Sequence, residues 1–317
     1  MNTFTFDVAV VGGGAAGLSA AVALARSLRS VVVVDAGEPR NAPAGGAHNV
    51  LGREGVPPLE LLAAGRREAQ DYGAHLRRTR ALAARRTDDG FEVDLADGAT
   101  VRARRLLLAT GLVDELPELP GIRQFWGTSV LHCPYCHGWE VRGQRIGVLG
   151  TTPLSVHQAL LFRQLSEHVT LLRHAMPDPD EAAAEQLAAL DIAVVDSAVE
   201  RLRSTDGVLR AVVLEDGREV PVDAVVVALR FVARTELYEQ LGGTPTEHPF
   251  GTFLATDATG RTEVPGVWAA GNTSDLAAMV SVAAGSGVVA AAAVNADLVA
   301  EDADAAVRTR PGASSLT

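Results

Sequence analysis

The stretch Asp7-Val-Ala-Val-Val11-Gly12-Gly13-Gly14-Ala15-Ala16-Gly17 decides how this chain is read. A short apolar run meets a G-x-G-x-x-G turn, residues 18–28 follow at helical spacing, and Val31-Val-Val-Val34 closes on Asp35. That order is strand, turn, helix, strand. Strands apolar on both faces indicate a parallel sheet. Gly12 permits the tight turn, Gly14 lets backbone approach a pyrophosphate, and Gly17 lets the helix pack on the strand. Ala15 and Ala16 open a helix whose free N–H groups suit phosphate oxygens. Asp35 ends the second strand, where a carboxylate can bind both ribose hydroxyls. The unit reads as a dinucleotide-binding βαβ, in preference to a structural glycine turn.

The same order returns downstream. Arg145-Ile-Gly-Val-Leu149 reads as a strand, Gly150-Thr-Thr-Pro-Leu-Ser155 as a turn, residues 156–165 as a helix and Val169-Thr-Leu-Leu172 as the next strand. Gly12 to Asp35 and Gly150 to Arg173 are both steps of 23 residues. The chain therefore carries an internal repeat of two nucleotide-type units. The second is degenerate: Thr152 stands for Gly14, Ser155 for Gly17 and Arg173 for Asp35. Thr152 brings a Cβ to the phosphate approach, and Pro153 removes an N–H donor. Two readings stay open here. One is a nucleotide fold that has lost its nucleotide; the other is a working NADPH site in which Arg173 favours a 2′-phosphate.

Around these units, residues 38–58 are rich in Gly, Pro and Asn without periodicity, a long loop of the kind that is usually functional. A helix is expected over 59–73, and residues 91–95 and 100–104 alternate around Asp97-Gly98 as a hairpin. Leu106-Leu-Leu-Ala-Thr-Gly111 is a buried strand ending in a turn. Further strands are expected at 193–195, 209–214 and 224–227. A last strand, 266–271, leads into a helix near 277–300, and the polar tail after Glu301 is expected to fray.

The chain has 317 residues, 47% of them hydrophobic and 21% charged, with a formal net charge of −11. Such a chain can bury a large core without disulfide staples. Its acidity argues against non-specific nucleic-acid or anionic-membrane binding. All 28 basic residues are arginine. The absence of lysine excludes a P-loop lysine, a Schiff-base lysine and a Ser-Lys pair. Residues 1–6 carry no basic export region, so the expected compartment is the cytoplasm. Residues 276–300 are long and apolar but rich in Ala and Gly, with Ser281, Ser286, Asn295 and Asp297 among them, and read as a buried helix rather than a span.

The two cysteines share one motif, Cys133-Pro134-Tyr135-Cys136-His137. Structural thiols rarely keep this spacing in a loop. A zinc site needs about four ligands from separated pairs, and none is expected. C-x-x-C-H also marks covalent haem attachment, which requires export and does not suit a motif between two βαβ units. The favoured reading is a redox-active dithiol, flanked by His132 and His137 as candidate bases. His48 and Asn49, in the long loop, are candidates for a flavin or substrate pocket, with plain loop polarity as the alternative. Tyr135 and Trp139 suit stacking on flavin or substrate, or burial.

A nucleotide unit at the N-terminus, Ala109-Thr110-Gly111, a C-x-x-C in a central insert and Gly271-Asn272 before a last helix occur together in one family. Over nearly its full length the chain resembles the low-molecular-weight thioredoxin reductases. Among them it looks most like the FAD-dependent dithiol oxidases, which close disulfides in small sulfur metabolites of the gliotoxin and holomycin type. The resemblance implies an α/β fold of two Rossmann-like, three-layer domains, the second inserted in the first. The FAD domain would be 1–115 plus 245–317, and residues 116–244 an NADPH-domain-like module carrying the cysteines. It also implies a homodimer.

For FAD, it implies contacts from Gly12, Gly14, Ala15, Ala16, Gly17, Asp35, Ala36, Arg40, Asn41, His48, Asn49, Thr110, Gly111, Gly271, Asn272 and Met279. Cys136 would face the flavin and Cys133 would exchange with substrate. The chain departs from the reductases in three places. His137 stands where they usually have Asp, as in the dithiol oxidases. The basic run for a 2′-phosphate is reduced to Arg173 and His174. Asn272 and Ala278-Met279 replace the usual Asp and Arg-Gln near the flavin. The function expected is oxidation of a small dithiol to its disulfide, with O2 as acceptor. NADPH-dependent disulfide reduction and a non-catalytic flavoprotein redox sensor are the alternatives.

Overall fold

The computed structural model describes residues 3–310. The chain forms two compact units, residues 1–42, 58–113 and 231–317 in the first and residues 43–57 and 114–230 in the second.

In the first unit, strand Thr3–Val11 lies between Val31–Val34 and Thr100–Leu108, parallel to both. His75–Arg77 extends the sheet on one side and Val267–Ala269 pairs in parallel with Leu106–Leu108. Alternate side chains feed two cores, as a pleated strand requires. Val8, Val10, Val31, Val33 and Leu107 pack against helices Ala15–Arg26 and Val280–Thr309. Ala9, Val11, Val32, Val34, Leu106 and Leu108 pack with Phe91, Val93 and Tyr238 on the other face. That face is covered by the antiparallel meander Ala81–Thr87, Gly90–Leu95 and Thr100–Leu108. The layers are helices, parallel sheet and meander.

The second unit repeats this plan. Its five-stranded parallel sheet runs Ala193–Val195, Val169–Leu172, Ile146–Leu149, Ala224–Val227, Val130–Leu131 in spatial order. Helices Leu154–Arg163 and Glu181–Ala189 cover one face through Ala159, Phe162 and Leu187. The meander Val199–Thr205, Val208–Leu214 and Glu219–Pro221 covers the other through Leu202, Val212 and Leu214. The expected three-layer repeat is present in both units.

Several boundaries move. The chain rejoins the first unit at Phe231, not at 245. The reason is packing: Leu237 and Tyr238 lie in the core with Phe91, and Phe231 pairs with Gly251. Residues 43–57 group with the second unit, away from the flavin-domain stretch expected to contain them. The last helix continues to Thr309 where fraying was expected after Glu301. Arg104 binds Asp302 at 2.5 Å and Glu301 at 2.8 Å, Arg105 binds Asp297 at 2.6 Å, and these pairs hold its polar end to the sheet. The end of the expected tail, residues 311–317, lies outside the described residues. This helix is long and apolar enough to cross a membrane by length and composition. One face of it, with Ala290, Ala291, Val294 and Leu298, is buried in the first core, while Val282, Val288, Val289 and Val299 are exposed, so the helix is less buried than expected.

Candidate functional site

Two chemically distinct sites emerge, one in each unit. In the first unit the glycine turn behaves as three separate solutions. Gly12 has φ +108°, and a Cβ there would lie 2.1 Å from the Ala109 carbonyl oxygen. A Cβ on Gly17 would lie 1.9 Å from the Gly12 carbonyl oxygen, so only glycine lets helix and strand approach this closely. Gly14 is extended and a Cβ there meets nothing within 4 Å. It is also the N-cap of helix Ala15–Arg26 and has no side chain with which to cap it. No side chain caps the first-turn N–H groups, and the helix dipole favours an anion there.

Beside the turn, Asp35 ends strand Val31–Val34. Its Oδ1 accepts from Gly37 N–H at 3.2 Å, and Oδ2 lies 3.5 Å from Arg66. Gly13, Leu18, Asp35, Arg66, Arg77 and Arg78 line one cleft. Ala36 continues from Asp35 into this bend. The carboxylate suits ribose hydroxyls, the guanidinium groups suit phosphate and ring faces, and Leu18 gives an apolar floor. The three arginines were not anticipated. In a chain with 28 of them, nothing local marks these three. Pairing of His75–Arg77 beside Val34 brings Arg77 and Arg78 to the cleft, and helix Pro58–Asp71 brings Arg66.

Of the other contributors expected around the cofactor, all but His48 and Asn49, which belong to the second unit, lie within the same unit. Thr110 Oγ1 donates to the Arg234 carbonyl at 2.9 Å and meets Thr273 Oγ1 at 2.8 Å. Gly111 has φ +69°. Gly271 has φ +75° and donates its N–H to Ser286 Oγ at 2.9 Å, bringing the last helix to the first at Ala16. Asn272 Nδ2 donates to the Asp275 and Ala278 carbonyls, while its Oδ1 lies 3.5 Å from Arg40. Arg40 also lies over the Phe231 ring at 5.3 Å. Met279 is the N-cap of the last helix, and Asn41 lies in the turn after Arg40. Open glycine turn, uncapped helix end and acidic strand end together fit the pyrophosphate and ribose of FAD.

In the second unit Cys133 and Cys136 form a disulfide with Cα atoms 5.3 Å apart. Cys133 is the N-cap of the one-turn helix Pro134–His137, where Pro134 pre-sets the backbone. His137 N–H donates to the Cys133 carbonyl at 3.2 Å, so the histidine is fixed on the disulfide's own turn. Both cysteines and His137 are half-buried. Burial pushes His137 below the ordinary histidine range; the Glu140 charge opposes this and His48 adds to it. A neutral imidazole can accept a thiol proton. His132 is built differently: its ring stacks on Trp126 at 5.8 Å and 25°. Tyr135 and Trp139 are each 66% exposed, against the alternative of burial, and Arg142 lies 4.0 Å over the Trp139 ring.

His48 and Asn49 meet this turn within the second unit. Asn49 Nδ2 donates to the Tyr135 carbonyl at 2.9 Å, and His48 Nε2 lies 3.4 Å from Glu140. The loop is closed by an Ala47–Val56 bridge and by Glu54, which accepts from Asn49 N–H at 2.8 Å and binds His48 at 2.7 Å. The hydrogen bond from His48 holds Glu54 below the usual carboxylate range.

The degenerate nucleotide turn closes on itself. Thr151 N–H donates to Ser155 Oγ at 3.3 Å, and Ser155 N–H to the Thr152 carbonyl at 3.0 Å. Ser155 is fully buried, and Pro153 is the N-cap of the helix. Arg173 is paired with Asp178 and with Asp196 at 3.0 Å. His174 accepts Val199 N–H on Nδ1 at 3.0 Å, and burial lowers its pKa. Arg173 Nη1 is held by the Asp178 and Asp196 carboxylates, while its buried Nε has no hydrogen-bond partner among the described residues.

Comparison with known proteins finds relatives over nearly the whole chain. The profile of the pyridine nucleotide-disulphide oxidoreductases matches residues 6–292. Thioredoxin reductase tcpT of Claviceps purpurea is 35% identical over 93% of this chain and 95% of its own length. Thioredoxin reductase aclD of Aspergillus oryzae is 32% identical over 94% of this chain and 98% of its own. The crystal structure of HlmI superposes with a TM-score of 0.90 at 44% identity, covering 97% of this chain and 98% of that one.

Proposed function

The chain belongs to the pyridine nucleotide-disulphide oxidoreductase family, and within it we propose that this protein oxidises a small-molecule dithiol to its intramolecular disulfide. The observation that carries the reading is the Cys133–Cys136 disulfide on a one-turn helix with half-buried His137 on the same turn. His137 takes the proton of the first substrate thiol. The thiolate attacks Cys133 Sγ, the Cys133–Cys136 bond breaks, and Cys136 leaves as the thiolate. The second substrate thiol then attacks the substrate sulfur of the mixed disulfide, releasing cyclised product and a reduced cysteine pair. Two electrons and two protons have moved from substrate to protein. Gly12, Gly14, Gly17 and Asp35 would hold FAD in this reading, together with Thr110, Gly111, Gly271 and Asn272. The chemistry FAD supplies when bound is acceptance of those two electrons, with O2 as terminal oxidant.

The self-closed Gly150–Ser155 turn and the paired Arg173 support an oxidase that needs no nicotinamide. The rival reading, NADPH-dependent disulfide reduction, draws on the names of the two fungal relatives, both thioredoxin reductases. A cytoplasmic homodimer is part of the proposal.

Anaerobic stopped-flow absorbance separates the two. Fast flavin bleaching by a dithiol, absent with NADPH and absent in Cys136→Ser, is the expected result. Fast bleaching by NADPH would replace the oxidase with the reductase, and bleaching by dithiol in Cys136→Ser would refute the cysteine mechanism.

A further inference from the structure

Of the Phe, Tyr and Trp side chains among the described residues, the two most exposed are Tyr135 and Trp139, at 66% each, and both belong to the cysteine turn. Indole is covered elsewhere in the chain: Trp126 is half-buried and Trp268 is fully buried. Folding gives no reason to leave two large rings in water side by side in sequence, whereas recognition does. The backbone beneath them is fixed. Asn49 Nδ2 donates to the Tyr135 carbonyl at 2.9 Å, Gly138 N–H donates to the Pro134 carbonyl at 2.9 Å, and a Cβ on Gly138 would lie 2.4 Å from Leu165. Arg142 Nη1 donates to the Trp139 carbonyl at 2.7 Å, and its guanidinium lies 4.0 Å over the Trp139 ring. One face of the indole therefore already holds a cation, and the rest of the ring is open to solvent. Rigid aromatic area on a fixed backbone binds at low entropic cost.

We propose that Tyr135 and Trp139 are the specificity-determining residues for the dithiol, and that they take the face of an uncharged, unsaturated ring carrying the two thiols. The inference rests on the dithiol reading above and names its substrate class. Continuity with the disulfide commits this surface to substrate. Tyr135 stands between Cys133 and Cys136, and Trp139 follows Cys136 by three residues. A molecule bonded to Cys133 Sγ in the mixed disulfide is therefore held at this turn. A saturated dithiol offers the rings no π system; an unsaturated one can stack offset or edge-to-face. With guanidinium on one side of the indole, its open side favours an uncharged or electron-rich ring over a second cation.

The test compares two dithiols that close the same six-membered ring: dithiothreitol, which has no π system, and α,α′-dimercapto-o-xylene, which has one. Each is titrated anaerobically against the oxidised holoprotein, and the concentration dependence of flavin bleaching gives its apparent affinity and limiting rate. The wild type should prefer the aromatic dithiol by about three- to ten-fold in affinity. Trp139→Ala and Tyr135→Ala should each shrink that ratio by about two-fold or more, and Trp139→Phe should keep most of it. The limiting rate with the aromatic dithiol should change less than its affinity. Both side chains lie in water, so thermal unfolding of the variants should match the wild type. A ratio that both alanine variants leave intact, or an affinity loss shared equally by the two dithiols, overturns the proposal. So does bleaching by reduced thioredoxin that slows in Trp139→Ala while the ratio stays, because the surface then serves a protein. The parent reading fails separately: if neither dithiol bleaches the wild type, or if both still bleach Cys136→Ser, dithiol oxidation through the cysteines is wrong whatever the ratios.

Discussion

Gly14 and Gly17 sit three residues apart in one turn and should fail in opposite ways when each is replaced by alanine. At Gly17 the added methyl would lie 1.9 Å from the Gly12 carbonyl oxygen, well over an ångström inside contact distance, with the Val10 side chain also close. Alanine gains about 0.5–1 kcal/mol in a helix interior, but overpacking of this kind costs about 1–3 kcal/mol or more. Net destabilisation of roughly 2 kcal/mol corresponds to a fall in Tm of about 4–8 °C. At Gly14 the methyl enters open space and the backbone is already extended, so the apoprotein should keep its stability to within about 1 kcal/mol. What it loses is the approach of phosphate to the helix end. One charge-assisted hydrogen bond is worth about 1.5–3 kcal/mol, so FAD affinity should fall about ten- to hundred-fold. The assays are thermal unfolding of both apoproteins and titration of FAD by flavin fluorescence quenching. Unchanged FAD affinity in Gly14→Ala would refute the cradle, and a Gly17→Ala apoprotein as stable as Gly14→Ala would refute the steric argument.

Trp268 is completely buried, and its Nε1 has no hydrogen-bond partner among the described residues. Trp268→Ala should cost about 3–5 kcal/mol by calorimetry, whereas Trp268→Phe, which also removes the orphan N–H, should cost less than about 1.5 kcal/mol. Hydrogen bonds from Arg104 hold the carboxyl of Glu301 below its ordinary range, and those from Arg29 and Arg104 do so for Asp302. Their stabilisation is complete above the unfolded carboxylate pKa and disappears as pH falls through the lowered folded values. Arg104→Gln should therefore shift the acid-unfolding midpoint to higher pH, and an unmoved midpoint would show that solvent screening has already removed the effect.

The architecture was readable because parallel strands buried on both faces leave uninterrupted apolar runs such as Val31–Val34 and Ala224–Val227. The tight strand-to-helix turn was readable for a related reason: Gly12 and Gly17 are forced by backbone contacts at fixed spacing. What escaped was held by long-range pairing. Nothing in His48 or Asn49 announces that their loop packs on the cysteine turn, since an aperiodic loop takes its position from the partners it finds. Arg66, Arg77 and Arg78 were hidden by abundance. The end of the last helix was misread because Glu301 and Asp302 look like a solvated tail until Arg104 and Arg105 are brought to them across the sheet.

Strand Val267–Ala269 and helix Val280–Thr309 complete the sheet and core of the first unit, although its opening segments end at residue 113. The order of synthesis therefore inverts the order of completion. The disulfide-bearing unit has all of its residues once position 230 has been made, while the glycine turn waits for Gly271 and Gly287 to close against Ala16. At about 5–20 residues per second, that wait lasts on the order of ten to forty seconds. During it Val8, Val10 and Leu107 lack part of their cover. A nascent chain stalled near residue 260 should fold its second unit yet be unable to retain flavin, and cofactor capture in the cell becomes one of the last events of its biogenesis.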